Sequence, residues 1–455
     1  VTRRGRYRLI KSGTLIGYGL GDFGINLYFM SVMTFLLVFY TDVMGIPPLT
    51  AAAIFAFARF VDAITDPLMG MIAERTQSRW GRLRPYLLFG GAPLGLAAVL
   101  TFTVPDLSLD GRIIWAYVTY TLFGVIYTMV TIPYTTLTAS MTMDYSERTR
   151  LSSYRIGFAF AGGWLTSLIF EDFVRNSFFD SVAQGHFVLM IVFAFIATIL
   201  LWITYYSVEE VVVPRKEEKP NLKESFQSVF RNPPLFIVIG IFCCGMMSFT
   251  VRMAVTPYYF IYNVGDPSLI GLFLATTLGA MIISVWLVPV LSERFGKTGA
   301  IRLGAYLTIF SCIGFYFAPA DSILQIFVWG TLVAIGSTPV AVLGWAMIPD
   351  TIEYAQSKFG HRADGMISST ASFFQKLAKT VGGAGVAFVL GISGYVANQN
   401  QTQEALSAIH ALLTLAPIPI LLVLIFLTLV YRLDEQTHDE IVRGISASDS
   451  NSNLT

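Results

Sequence analysis

The chain has 455 residues, of which 55% are hydrophobic and 13% charged, and its formal net charge at pH 7 is +1. Soluble domains carry about 25% charged residues, so this composition excludes an ordinary soluble protein. The net charge is close to zero and says nothing about partners, whereas the distribution of charge along the chain does. We therefore predict an all-α integral membrane protein whose surroundings are a lipid bilayer, with no nucleic-acid partner.

Twelve apolar runs follow one another along the chain, and each is long enough to cross a hydrocarbon core of roughly 30 Å as a helix. A polar segment from Val211 to Asn232 separates the first six runs from the last six. We predict two six-helix halves, 1–208 and 234–432, joined by a cytoplasmic linker over 209–233 and followed by a cytoplasmic tail over 433–455. The predicted spans are 14–40, 49–73, 86–105, 112–140, 151–172, 186–208, 234–262, 267–292, 299–318, 322–348, 364–393 and 405–431.

One short motif occurs at corresponding places in the two halves. Glu74-Arg75, followed by Gly81-Arg82, closes the second span, and the run from Glu293 to Lys297 (Glu-Arg-Phe-Gly-Lys) closes the eighth. This repeated acidic–basic–glycine turn indicates a duplication. Two repeated halves around a central pathway are typical of transporters.

The arginines and lysines indicate the orientation in the membrane. Apart from four at membrane depth (Arg59, Arg252, Lys376 and Lys379), nearly all lie on alternate connections and in the two terminal segments. The intervening connections hold only Arg112 and Arg175. By the positive-inside rule both termini are cytoplasmic.

The cysteines and histidines do not predict a metal site or a catalytic centre. Cys243 and Cys244 are adjacent, Cys312 is remote, and the four histidines are not paired at ligand spacing. The spans carry neither a zinc motif nor a nucleophile–base pair. We expect no resident cofactor and no enzymatic activity.

The second span carries three charged residues in an apolar stretch: Arg59, Asp62 and Asp66. A charge at the bilayer centre costs about 2.5–3.5 kcal/mol on insertion scales, so such residues indicate a functional site. On a helix the two aspartates lie one turn apart on one face. Pro67 lacks the N–H that would otherwise bond the carbonyl oxygen of Ala63.

These oxygens, joined by the Thr128 hydroxyl of the fourth span, suit a small monovalent cation, and clustered carboxylates equally suit a proton. We predict a cation-binding site for Na⁺, Li⁺ or H⁺ made by Asp62, Asp66, Ala63 and Thr128. The alternative is that the aspartates only form structural ion pairs with Arg59, Arg155 or Lys376.

Three further charges lie at membrane depth. Asp22 sits in a glycine-rich part of the first span, where it is either functional or a hydrogen-bonding residue of a close helix contact. Lys376 lies near the middle of the eleventh span and Arg252 toward the outer side of the seventh. For both, a structural ion pair and a role in ligand binding stay open.

At these residues the chain resembles the glycoside–pentoside–hexuronide:cation symporters. They are a branch of the major facilitator superfamily that includes melibiose and glucuronide permeases. The similarity covers nearly the whole chain and rests on five motifs in order. They are Gly19-x-Gly21-Asp22, Phe39-Tyr40-Thr41-Asp42-Val43, Asp62-Ala63-x-x-Asp66-Pro67-x-x-Gly70, Ser78-Arg79-Trp80-Gly81-Arg82-x-Arg84-Pro85 and Asp350-Thr351-x-Glu353-Tyr354.

The resemblance implies the major facilitator fold and cation-coupled sugar transport by a monomer in the cytoplasmic (inner) membrane of a bacterium. It implies that Asp62 and Asp66 bind the coupling cation with help from Thr128. It further implies that Lys376 links the cation and sugar regions and that Arg155, in the fifth span, contacts sugar.

The resemblance also bears on the substrate. Where melibiose permease carries sugar-binding carboxylates, this chain has Asn26 and Thr131, so melibiose itself is not expected. With a cation on the aspartate pair, the remaining cavity is net positive. This predicts an anionic sugar, such as a hexuronide or glucuronide, clamped by Arg252 or Arg155.

The neutral alternative is a pentoside or glucoside held by Asn26, Thr131, Tyr134 and aromatic stacking, with Trp345 as an aromatic neighbour. Asp22 is also predicted to bind substrate. A different substrate class, a lysolipid or other amphiphile carried on the same fold, also stays open.

The basic cytoplasmic turns suggest a gate. Arg82 and its neighbours are expected to pair with acids such as Asp144, Asp350 and Glu353 when the inner side closes. The alternative is that these basic residues only set the topology.

Overall fold

A computed structural model describes residues 10–141, 145–210, 229–359 and 364–431. The regular elements among these residues are helices, which form twelve successive segments. This confirms the predicted all-α membrane architecture, and eight segments are both long and apolar enough to cross a bilayer. The segments are α1 (Ser12–Val43), α2 (Pro48–Arg75), α3 (Arg84–Thr101), α4 (Leu109–Met141), α5 (Tyr145–Val174), α6 (Val182–Ser207), α7 (Pro233–Val264), α8 (Leu269–Val285), α9 (Val288–Tyr316), α10 (Ile323–Phe359), α11 (Asp364–Ile392) and α12 (Gln403–Val430).

Parts of the predicted organisation lie outside the described residues: the basic residues before Ile10, most of the linker 209–233, and the tail 433–455. The chain forms two compact units. The first consists of Val1–Arg215, Asp266–Ala275 and Val396–Gln399, and the second of Lys216–Gly265, Thr276–Tyr395 and Asn400–Thr455.

In the first unit α1 packs against α5 and α6, α3 packs against α4 and α6, and α2 packs against α4. Glycine permits the close approach to α1. A Cβ on Gly162 of α5 would lie 2.5 Å from the main-chain oxygen of Phe23, and a Cβ on Gly24 would lie 3.1 Å from the Cα of Ala197 in α6. The glycines of membrane helices commonly serve this purpose. These two glycines let α1 pack closely against α5 and α6.

In the second unit α7 packs against α10, α11 and α12, and α9 packs against α10 and α12. Apolar side chains of these helices form its core, among them Leu235, Ile301, Leu343 and Leu424. Arg252 and Lys376 therefore belong to this unit, whereas Asp22, Asp62, Asp66 and Arg155 belong to the first.

The helices are irregular at defined places. π-Helical turns cover Ser31–Phe35 and Phe39–Val43 in α1 and Tyr259–Val264 in α7. The two glycines of the repeated turn motif both have positive φ, 106° at Gly81 and 71° at Gly296, a conformation that favours glycine. The segment predicted as one span over 267–292 differs, since α8 ends at Val285 and residues from Val288 onward begin α9.

Candidate functional site

The aspartate pair of α2 contacts α4. Asp62 is 5% exposed, and the Arg59 guanidinium donates from Nη1 to its Oδ2 at 2.5 Å. The Thr128 hydroxyl donates to Oδ1 of Asp66 at 2.8 Å. The structure thus brings together Asp62, Asp66 and Thr128, three of the four residues predicted to bind a cation.

Residues spaced four apart on α4 line one helical face opposite these charges. The hydroxyl of Tyr120 accepts a hydrogen bond of 2.8 Å from Nη2 of Arg59. A Cβ on Gly124 would lie 2.9 Å from Oδ1 of Asp62, closer than a methyl group tolerates. Thr128 is next on the same face. Sequence reasoning singled out Thr128 and missed Tyr120 and Gly124, although their spacing from it was visible.

The fourth predicted cation ligand is the carbonyl of Ala63. α2 runs without interruption from Pro48 to Arg75, so Ala63 lies one residue beyond Asp62 on the helix. The hydroxyl of Thr65 donates to the main-chain oxygen of Asp62 at 3.5 Å. Oxygen atoms therefore concentrate on this stretch of α2, and the ligand role of Ala63 stays a prediction.

The second charged cluster of this unit lies between α1 and α5. Nε of Arg155 is 3.3 Å from Oδ2 of Asp22. The Asn26 amide donates to the main-chain oxygen of Asp22 at 2.9 Å and lies 3.4 Å from its Oδ1. The structure therefore brings together three residues predicted to bind substrate. The guanidinium of Arg155 pairs with the carboxylate of Asp22.

Two α4 residues predicted to bind substrate donate their hydroxyl groups to main-chain carbonyls. The Tyr134 hydroxyl donates to the main-chain oxygen of Tyr18 at 2.6 Å, and the two rings stack with centroids 4.8 Å apart. The Thr131 hydroxyl donates to the carbonyl of Tyr127, one turn earlier on its own helix, at 2.9 Å. Tyr134 is buried, so it supports the α1–α4 contact, whereas Thr131 is half-buried.

In the second unit Arg252 is 8% exposed, and its partners are neutral. Nε donates to the main-chain oxygen of Ser248 at 3.3 Å and Nη2 to the hydroxyl of Ser337 at 2.8 Å. Among the described residues no carboxylate pairs with it. The two serines also line a cavity of about 10 Å³, the space that about one water molecule occupies.

The remaining residues of the second unit predicted to bind substrate are more accessible. Trp345 of α10 is 45% exposed and packs edge-on against Phe242, with ring centroids 5.0 Å apart. Lys376 is half-buried in α11.

Two of the three predicted gating residues, Arg82 and Asp350, each contact a residue of their own unit. The Arg82 guanidinium donates from Nη2 to the hydroxyl of Ser140 at 3.2 Å. Asp350 accepts a bond of 2.6 Å from Nζ of Lys297, which is the last residue of the repeated turn motif. Glu353 is half-buried in α10. Asp144 lies outside the described residues, and the expected pairing of Arg82 with Asp350 or Glu353 stays a prediction.

Glu210, which was not predicted from the sequence, accepts hydrogen bonds from the unpaired main-chain N–H groups at the start of α3. Its carboxylate accepts hydrogen bonds from the main-chain N–H groups of Arg82, Leu83 and Arg84 at 3.0, 2.9 and 3.1 Å. A negative charge at a helix N-terminus is favourable because these N–H groups have no helical partner.

A structure that shares this fold is that of a bacterial homologue of the human drug peptide transporters PepT1 and PepT2. It superposes with a TM-score of 0.66 at 11% identity and covers 98% of this chain and 99% of that chain.

Sequence comparison gives closer relatives. The isoprimeverose transporter of Lactiplantibacillus pentosus is 35% identical over 86% of this chain and 83% of its own length. The glucuronide carrier protein homolog of Escherichia coli (strain K12) is 34% identical, covering 94% of both chains. A putative glycoside/cation symporter of the same strain, YagG, is 31% identical, again over 94% of both.

The family described as MFS/sugar transport protein matches residues 17–435. This match begins within α1, continues beyond the end of α12 and includes both charged clusters of the first unit. The chain therefore belongs to the MFS/sugar transport protein family, and it is a membrane transporter rather than an enzyme.

Proposed function

We propose that the chain is a symporter that couples inward movement of Na⁺, Li⁺ or H⁺ to uptake of a sugar or glycoside across the bacterial cytoplasmic membrane. The observation that carries this proposal is the position of Asp62 and Asp66. The two acids lie one turn apart on α2, and Asp66 accepts a hydrogen bond from the hydroxyl of Thr128 on α4. The names of the related symporters point to the same class of solute.

The cation end of the proposed site consists of oxygen atoms. Small hard cations prefer carboxylate, hydroxyl and carbonyl oxygens, which Asp62, Asp66, Thr128 and Ala63 supply. Asp62 and Asp66 are two carboxylates one turn apart on α2, and Asp62 pairs with the guanidinium of Arg59. A bound cation or proton lowers the cost of burying such charges in a membrane.

We propose that the solute end of the site is formed in the first unit by Asp22, Asn26 and Arg155, and that Thr131 of α4 joins them. The second unit is expected to add Lys376, Trp345 and Arg252. Of the two arginines proposed to clamp a uronide carboxylate, Arg155 already faces Asp22, whereas Arg252 has only neutral partners among the described residues. This favours Arg252 for bidentate binding of an anionic sugar.

Coupling follows from linkage. A cation that neutralises the aspartate pair favours solute binding, and the solute strengthens cation binding by the same factor. The loaded carrier then exposes its site to the opposite side as the two halves move.

Uptake into proteoliposomes tests the proposal. We expect uptake of labelled methyl β-D-glucuronide, methyl β-D-glucoside or methyl β-D-xyloside to rise with an inward gradient of Na⁺, Li⁺ or protons. Uptake against a gradient should vanish in Asp62→Asn and persist in Asp106→Asn, which alters an exposed acid between α3 and α4. Uphill uptake that survives Asp62→Asn with Asp66→Asn contradicts the coupling site, and displacement of solute by neutral glycosides alone contradicts an anionic substrate.

A further inference from the structure

The guanidinium of Arg59 makes two hydrogen bonds at once, one to its own helix and one to α4. Nη1 donates to Asp62 on its own helix at 2.5 Å, and Nη2 donates to the hydroxyl of Tyr120 on α4 at 2.8 Å. Tyr120 is 5% exposed, and its ring also lies beneath the guanidinium, 5.9 Å from Cζ to the centroid. Because one guanidinium bonds both side chains, the tyrosine holds the guanidinium at the carboxylate.

Arg59 occupies an oxygen atom that the proposed coupling cation would use. Two positive charges on one carboxylate repel each other strongly where the dielectric constant is low. A cation that binds Oδ2 of Asp62 therefore has to displace Arg59. Any group that holds Arg59 in place makes this displacement more costly and weakens cation binding.

We propose that Tyr120 is a positioning residue that holds Arg59 on Asp62 in the cation-free carrier, so that Arg59 acts as an internal competitor of the coupling cation. This inference rests on the proposed cation site at Asp62 and Asp66. A phenol suits the task because it accepts a bond from the guanidinium without neutralising it. The competitor gives the carrier a means of releasing its cation, since the vacated carboxylate is at once paired again.

Ordinary damage to a binding site lowers cation affinity, whereas this proposal predicts that removing the Tyr120 hydroxyl raises it. Tyr120→Phe keeps the ring and removes the hydroxyl, so it loosens Arg59 and strengthens cation binding. We expect half-saturation at a cation concentration about three- to tenfold lower, the range that one hydrogen bond within a membrane protein supports. Tyr117→Phe is the matched control, since Tyr117 lies on the same helix and packs on Phe57 instead.

The experiment uses the purified full chain in lipid nanodiscs. Its melting temperature is followed during titration with NaCl, with LiCl and with acid, at constant ionic strength set by choline chloride. The cation affinities of the wild type and Tyr120→Phe are compared for the ion that stabilises the wild type. If that ion is the proton, the midpoint of the acid titration is expected to move up by about 0.5–1 pH unit in Tyr120→Phe. In an Arg59→Gln background, Tyr120→Phe should no longer change the affinity, because the positively charged competitor is absent.

Unchanged or weaker cation affinity in Tyr120→Phe, with the wild type responding to an ion, overturns this inference and leaves the cation site standing. The same holds if the effect persists without Arg59. A wild type that responds to none of the three ions overturns the cation site itself and this inference with it.

Discussion

Thr128 on α4 donates a hydrogen bond of 2.8 Å to Asp66 on α2. Thr128 is 2% exposed, so the bond joins two helices inside the first unit. A hydroxyl that gives its proton to a carboxylate keeps its lone pairs. The same oxygen can therefore fix the orientation of Asp66 and serve as a ligand of a bound cation.

Substitutions at Thr128 distinguish the roles of its hydroxyl, in orienting Asp66 and binding a cation, from the packing of its side chain. Thr128→Val keeps the shape and removes the hydroxyl, so cation affinity is expected to fall about tenfold, as for the loss of one hydrogen bond to a charged group. Thr128→Ser retains the hydroxyl and should stay within about threefold of the wild type. The measurement is the cation dependence of initial uptake in proteoliposomes. Equal cation dependence in the valine and serine variants contradicts this role.

Gly124 provides the space that Asp62 occupies. A Cβ at this position would lie 2.9 Å from Oδ1 of the carboxylate, so Gly124→Ala forces Asp62 or the helix to move. We expect cation-stimulated uptake to fall at least tenfold, because the carboxylate no longer aligns with Asp66. Gly157→Ala on α5 is the control, since a Cβ there meets nothing within 4 Å. Uptake that is unaffected by Gly124→Ala shows that the carboxylate adapts without loss of function.

The aspartate pair could be predicted because its chemistry is local. Burial of Asp62 and Asp66 in an apolar run, at helical spacing, is visible in the sequence alone. Tyr120 and Gly124 could not be assigned, because their role depends on which face of α4 meets α2. That register is set by tertiary packing, and an apolar helix with glycine and tyrosine along its length offers several such faces.

The second half shows the same limit. Sequence placed Arg252 at membrane depth, but its partners, the Ser337 hydroxyl and the Ser248 carbonyl, belong to helix packing in the second unit. The turn at Gly296 was visible in the repeated motif, whereas the pairing of Lys297 with Asp350 required the fold. Short motifs thus predict turns, and their long-range partners remain outside the reach of pattern analysis.

Glu210 is expected to contribute to stability without taking part in transport. Its carboxylate accepts three main-chain bonds at the start of α3, and Glu210→Gln removes the charge that makes them strong. We expect a loss of about 1–2 kcal/mol, seen as a lower melting temperature. Glu209→Gln is the matched control, because Glu209 is the exposed neighbour. Equal melting temperatures for the two variants contradict a capping role.

Arg252 gives a direct test of the substrate class. If its guanidinium binds the carboxylate of a uronide, Arg252→Gln removes a charged partner and weakens glucuronide binding about thirtyfold or more. Binding of a neutral glucoside should then change little, because it makes no such pair. Competition against a labelled solute gives both affinities in one assay. Ser337→Ala controls for packing, since it removes the hydroxyl that Arg252 contacts while keeping the charge. An equal loss for the neutral and the anionic glycoside assigns Arg252 to the packing of α7 against α10 and removes the case for a uronide clamp at this residue.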